Sequence, residues 1–269
     1  MRFPDYVPLA VQQYITALLY GSGNESGWVA VAKEPGNEYI AEVVAFLHRF
    51  EKTDENIREM FRHLERAKLS EADQKKFMNA AWTSRTDFAK YRAAEKKAAN
   101  LNQDIATKAE ELAGLLDEIQ WLGLSDLPMA FYNVRTLLHE SDSRDDDLTM
   151  WRVKRHDLTG KSAGANADYA WRIAPSLANL LGTVAKAASN YEPRFHGRIG
   201  AAIELRQHNP KYEFIRAFWN MLDKAKIPAT RPVLNAIACM TSVALADRDI
   251  IASYDDVRQA LGLKKKASG

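Results

Sequence analysis

The chain has 269 residues, 46% of them hydrophobic, with 37 Lys+Arg against 35 Asp+Glu. That composition supports one or two buried cores and excludes dominant disorder or a collagen-like fibre. The lone Cys239 excludes an internal disulfide framework and any multi-cysteine zinc or iron–sulfur site.

The pattern predicts helices almost throughout. Residues 8–20 carry Leu9, Val11, Ile15, Leu18 and Leu19, and the Gly21-Ser22-Gly23 cluster ends that helix. From Glu38, the positions Ile40, Val43, Val44, Leu47 and Phe50 recur at three and four, which is one helical face. Thr53 reads as the next N-cap, with Asp54 and Glu55 in the first turn, where the helix dipole favours anions. Ser70 with Asp73 resembles a capping box and opens the longest helical stretch, Glu71 to Leu122.

Within that stretch Leu101, Ile105, Lys108, Leu112, Leu115, Ile119 and Leu122 step by four and three, a heptad stripe with one lysine inside it. Extended backward, the register gives Phe77, Ala80, Ser84, Asp87, Tyr91, Ala94 and Ala98. A coiled-coil arm that makes a homodimer and an intramolecular hairpin on residues 38–67 both satisfy this stripe. Its weakness at Ser84 and Asp87 argues against a long, isolated two-stranded coil.

Gly123 to Pro128 breaks the chain, and Pro128–Glu140 is again amphipathic. Ser141–Asp147 is an acidic linker, Thr149–Arg155 alternates as a short ribbon would, and Gly160–Asn166 is a second linker. The expected organisation is an N-terminal helical region over 1–140, a linker over 141–166 and a basic helical bundle over 167–269. In that bundle, helices are expected over 175–190, 193–208, 210–225 and 230–246, the last central and buried. Ser253 with Asp256 opens a final helix that Gly262 ends. The fold class is therefore all-α.

Motifs for chemistry are weak. Gly160-Lys161-Ser162 ends like a phosphate-binding loop, but the leading glycine it needs is Arg155. The glycines at 21, 23 and 27 miss the dinucleotide spacing by one. The six histidines form no zinc motif, Asp145–Asp147 lacks the rest of a calcium loop, and Cys239 sits in the most apolar helix, where a thiol is packed and inert. No cofactor or metal is expected, and no catalytic residue is assigned.

Charge is more informative. Residues 151–226 carry 13 basic and 6 acidic side chains, whereas residues 1–60 carry 5 and 9. Arg194, Arg198 and Arg206 fall on one broad face if 193–208 is a single helix. Arg152, Arg155, Trp151 and Lys211 complete a candidate macromolecule-binding set. The sequence reads best as a non-enzymatic helical interaction protein, an adaptor, inhibitor or assembly component, that meets a protein partner through charged helix surfaces. The alternative is a nucleic-acid-binding regulatory protein that uses the basic face. No apolar run is long enough for a membrane span, and the N-terminus lacks the features of a secretory signal, so a cytoplasmic location is expected.

Overall fold

The computed structural model describes residues 3–21, 27–34, 36–122, 134–140, 174–205, 208–246 and 249–263. Among them the regular structure is helical, without a strand. The expected ribbon at Thr149–Arg155 and both linkers lie outside the described residues.

In chain order the helices are α1 (Leu9–Tyr20), α2 (Trp28–Val31), α3 (Glu38–Leu47), a 3-10 turn (His48–Glu51), α4 (Glu55–Arg66), α5 (Glu71–Thr83), α6 (Ala89–Trp121), α7 (Val134–Glu140), α8 (Leu177–Asn190), α9 (Gly197–Ile203), α10 (Pro210–Lys224), α11 (Arg231–Ala244) and α12 (Tyr254–Ala260). Packing divides the chain into two units. The first combines residues 1–94 with 194–269, and the second is 95–193.

The first unit has one principal core. Ile15, Leu19, Phe46, Phe50, Ile57, Met60, Leu64, Phe77 and Met78 from the N-terminal helices join Phe214, Phe218, Ile237, Met240 and Val257 from the C-terminal ones. Helix α11 packs most extensively on α4. Ten of its fourteen residues are buried, as expected of a central helix. Phe77 meets Phe218 edge to face, with ring centroids 4.9 Å apart. This core joins residues on both sides of the boundary expected between 140 and 166, because the hydrophobic faces of α4 and α11 are buried against each other.

Local chemistry explains the helix ends. Asp54, rather than the expected Thr53, caps α4, accepting from the amides of Asn56 and Ile57. Ser70 caps α5 through the Asp73 amide. Asn209 caps α10 with Pro210 in its first turn, and Ser253 with Asp256 makes a complete capping box on α12. Helices α4 and α10 close with left-handed lysines. Lys68 (φ 54°) and Lys226 (φ 60°) each donate back to the carbonyl three residues earlier, and the next residue reaches back five. Gly27 allows the start of α2 to cross the end of α1, since a Cβ there would lie 2.3 Å from Leu19 O.

The stretch Glu71–Leu122 is not one helix. It breaks after Thr83, where the Ser84 hydroxyl donates to Ala80 O at 2.7 Å and Thr83 donates to Asn79 O. Asp87 Oδ1 then accepts from the Ala89 amide and starts α6. The first three positions of the upstream stripe, Phe77, Ala80 and Ser84, are spent on the core, whereas Asp87 and Ala94 are exposed.

In the second unit, the Asn102 amide of α6 donates to the carbonyls of Ala188 and Tyr191, at the end of α8. No helix among the described residues is long and apolar enough to cross a membrane.

Candidate interaction surface and polar sites

Helix α6 has two faces of opposite character. Ala98, Asn102, Ala106, Ala109, Ala113 and Leu116 form the covered side, with Ala106 and Ala109 buried. Small side chains on that side permit close approach. Rotated away from it lies the stripe singled out in the sequence, and it is open. Leu101 is 51% exposed, Ile105 49%, Leu112 46%, Leu115 61% and Leu122 65%. Large side chains are normally the first to be buried. Here Ala106 and Ala109 are buried while five large aliphatic side chains stay in solvent. From Leu101 to Leu122 this seam is about 30 Å long at ~1.5 Å per residue.

The seam has an electrostatic edge. If Ile105, Leu112 and Ile119 are the a positions of a heptad and Leu101, Lys108, Leu115 and Leu122 the d positions, then Asp104, Glu111 and Glu118 occupy successive g positions. All three are exposed. The flank on the e side is Asn102, Ala109 and Leu116 and carries no charge.

Among the described residues, Arg194 and Arg198, two of the basic residues expected on one helical face, do not share a helix. Helix α9 has only seven residues and carries Arg198. Pro193 precedes it, and Gly197 takes a left-handed φ of 65° at its first position. Phe195, outside the helix, packs edge to face on Tyr91. The chain therefore enters α9 late. Arg194 lies exposed before the helix. Arg198 sits near Tyr39, whose phenol is raised by burial and partly lowered again by that arginine. Lys211 holds Asp256 at 2.7 Å, tying α10 to the first turn of α12. Trp151, Arg152, Arg155 and Arg206 lie outside the described residues.

The structure assembles a charged cluster that no local motif announces. Glu213, in the first turn of α10, is 1% exposed. Its Oε1 accepts from Arg92 Nε at 2.9 Å and Nη2 at 2.7 Å, and His208 Nδ1 lies 3.0 Å from the same oxygen. Arg92 Nη1 also donates to Ile203 O at 3.1 Å and to Leu205 O, satisfying carbonyls at the end of α9. One guanidinium thus joins the start of α6, the end of α9 and the start of α10. A cavity of about 180 Å³ adjoins the cluster, lined among others by Glu42, Ser84, Arg85, Asp87 and His208. The Ser84 hydroxyl proton is engaged by Ala80 O rather than by His208. With its carboxylate taken up by Arg92 and its serine by the backbone, the cluster acts as a structural clamp.

Two further groups bear on reactivity. Burial pushes the Cys239 thiol up to about 11, with Glu59 adding to the effect, so the thiol stays protonated. Among the described residues, no group of three His, Cys, Asp or Glu side chains is placed to hold a metal ion.

No family model matches the chain, and neither the curated proteins nor the solved structures contain a match.

Proposed function

We propose that this protein is a non-enzymatic helical interaction protein whose recognition element is the open seam of α6, and that the partner is an amphipathic helix with basic flanks. The observation that carries the reading is the row Leu101, Ile105, Leu112, Leu115 and Leu122, each about half exposed or more, on a helix that buries Ala106 and Ala109 instead. Covering five half-exposed aliphatic side chains is worth roughly 1 kcal/mol each, about 5 kcal/mol together. This suits a helix laid along an apolar groove and read every three or four residues.

Charge selects the partner. In a parallel pair of identical seams, Asp104 and Glu111 would face Ala109 and Leu116, which offer no countercharge. In an antiparallel pair, Asp104 would face Glu111, and like charges repel. A helix with Lys or Arg along one flank meets Asp104, Glu111 and Glu118 favourably. Lys108, alone within the apolar row, fixes register in the way a single polar core residue does in coiled coils.

The test uses two synthetic helical peptides with the same leucine seam, one flanked by Lys and the other by Glu, and fluorescence anisotropy with the full chain. The Lys-flanked peptide should bind at least tenfold more tightly and lose affinity as salt rises. The I105E/L112E double variant should abolish binding without lowering the thermal midpoint. Equal binding of both peptides, or tighter binding to mixed-sequence nucleic acid than to either, would contradict the reading.

A further inference from the structure

Helix α1 carries no charge. From Tyr6 to Asn24 the chain has no Asp, Glu, Lys or Arg, although 27% of its residues are charged. Helix α4 has the same length, 12 residues, and carries Glu55, Arg58, Glu59, Arg62, Glu65 and Arg66. Those charges lie away from its buried side, Ile57, Met60, Phe61 and Leu64. Helix α1 likewise buries one side, Ala10, Val11, Ile15 and Leu19. Its other side meets solvent with Leu9 at 68% exposure, Tyr20 at 50%, and the exposed Gln13 and Ala17. At ~100° per residue these four lie within about 80° of arc. A face that serves only water gains nothing by excluding Lys and Glu. Depletion of charge around an aromatic side chain is instead the mark of the centre of a protein interface.

The face fits itself. Leu9, Gln13 and Ala17 form one ridge of residues four apart, the row by which helices pack on each other. Consider a second α1 laid antiparallel on the first, about a twofold axis at Gln13. Leu9 and Ala17 are each four residues from the axis, so Leu9 of one copy comes level with Ala17 of the other, large against small. Gln13 meets its own counterpart. Each carboxamide offers both donors and an acceptor, so the pair can exchange two hydrogen bonds. No charge is buried without a countercharge. A charged partner would shed water from its ions against a face that offers none in return.

We propose that α1 is the contact of a symmetric dimer of this chain, with Gln13 on the twofold axis. The inference does not depend on the α6 seam and leaves that seam open. One helix face is smaller than the ~800 Å² per partner of a standard interface, so the dimer is reversible and half formed at roughly 0.1 mM.

Sedimentation equilibrium of the full chain across that concentration tests it. Self-association should be seen, and Gln13→Lys and Gln13→Glu should each weaken it at least tenfold, because each sets like charges against one another on the axis. Gln13 is exposed, so both variants should keep the melting temperature of the parent chain. An equimolar mixture of the two variants should associate again, because a residue on the axis meets itself and the mixed pair is Lys against Glu. The I105E/L112E variant should associate like the parent. A chain that stays monomeric at ten times that concentration would overturn the inference. So would association that ignores both Gln13 variants, a mixture that fails to restore it, or its loss in I105E/L112E. A monomer that co-sediments with neutral phosphatidylcholine vesicles would place a lipid surface on α1 and overturn it as well.

Discussion

Arg92→Met is the most informative single change to the fold. It removes the guanidinium from a carboxylate that is 1% exposed and leaves Glu213 with His208 alone, itself half exposed. Two hydrogen bonds to Glu213 Oε1, at 2.7 and 2.9 Å, disappear along with the bonds to Ile203 O and Leu205 O. Breaking a buried pair by deleting one partner costs about 3–5 kcal/mol, mostly the penalty for the stranded charge. Arg92 is 19% exposed at its side chain, so water can partly repair the site and the lower end, about 3 kcal/mol, is expected. With a urea m-value of about 2–3 kcal/mol/M, the midpoint should fall by roughly 1–1.5 M. Glu213→Leu should cost a similar amount. The double variant, which removes both charges, should cost clearly less than the two together, with a coupling of about 2 kcal/mol. Urea unfolding of the four proteins at neutral pH, followed by far-UV circular dichroism, gives the cycle. A cost below about 1 kcal/mol for Arg92→Met, or additivity of the two single changes, would refute the clamp.

Other changes follow from local geometry. Lys226→Gly should stabilise the protein by up to about 1 kcal/mol in thermal unfolding, since it removes a left-handed non-glycine residue while both backbone bonds of the helix end remain. The Cys239 thiol, raised to about 11 from an ordinary 9.0, should react with iodoacetamide at pH 8 about a hundredfold more slowly in the folded chain than in urea. Asp256 is pushed up by burial, but Lys211 and the Ser253 hydrogen bonds outweigh this and hold it below the usual carboxylate range. A depressed carboxylate contributes stability that is present above about pH 4 and is lost as pH falls through its lower folded value. Lys211→Met should therefore reduce the acid sensitivity of unfolding in that window and leave its shape near neutrality unchanged.

The features legible in the sequence are those written within one helical turn. Ser70 with Asp73, Asn209 with Pro210, Ser253 with Asp256, and the apolar run of α11 each depend on neighbours three or four residues away, so spacing alone reveals them. The break between α5 and α6 escapes the same reading because the four-and-three rhythm passes through Ser84 without interruption. The structure shows that Ser84 enters the core at the end of α5 and that Asp87 starts a new helix by accepting from the Ala89 amide. The seam of α6 was visible as a stripe, but not which face would be buried. The helix expected from Pro193 begins instead at Gly197, because the conformation of Gly197 and the use of Phe195 against Tyr91 delay its start. The Arg92–Glu213 clamp joins residues 121 positions apart, and periodicity carries no information over that distance.

The proposal for α6 is tested most directly by a nitroxide placed on the seam. In a Cys239→Ala background, the label is attached at Leu112→Cys and its motion is read by electron paramagnetic resonance with and without the Lys-flanked helical peptide. An open seam predicts a mobile label in the free protein that becomes immobile when the peptide is added. A label already immobile in the free chain, or one whose spectrum ignores the peptide, would contradict the account.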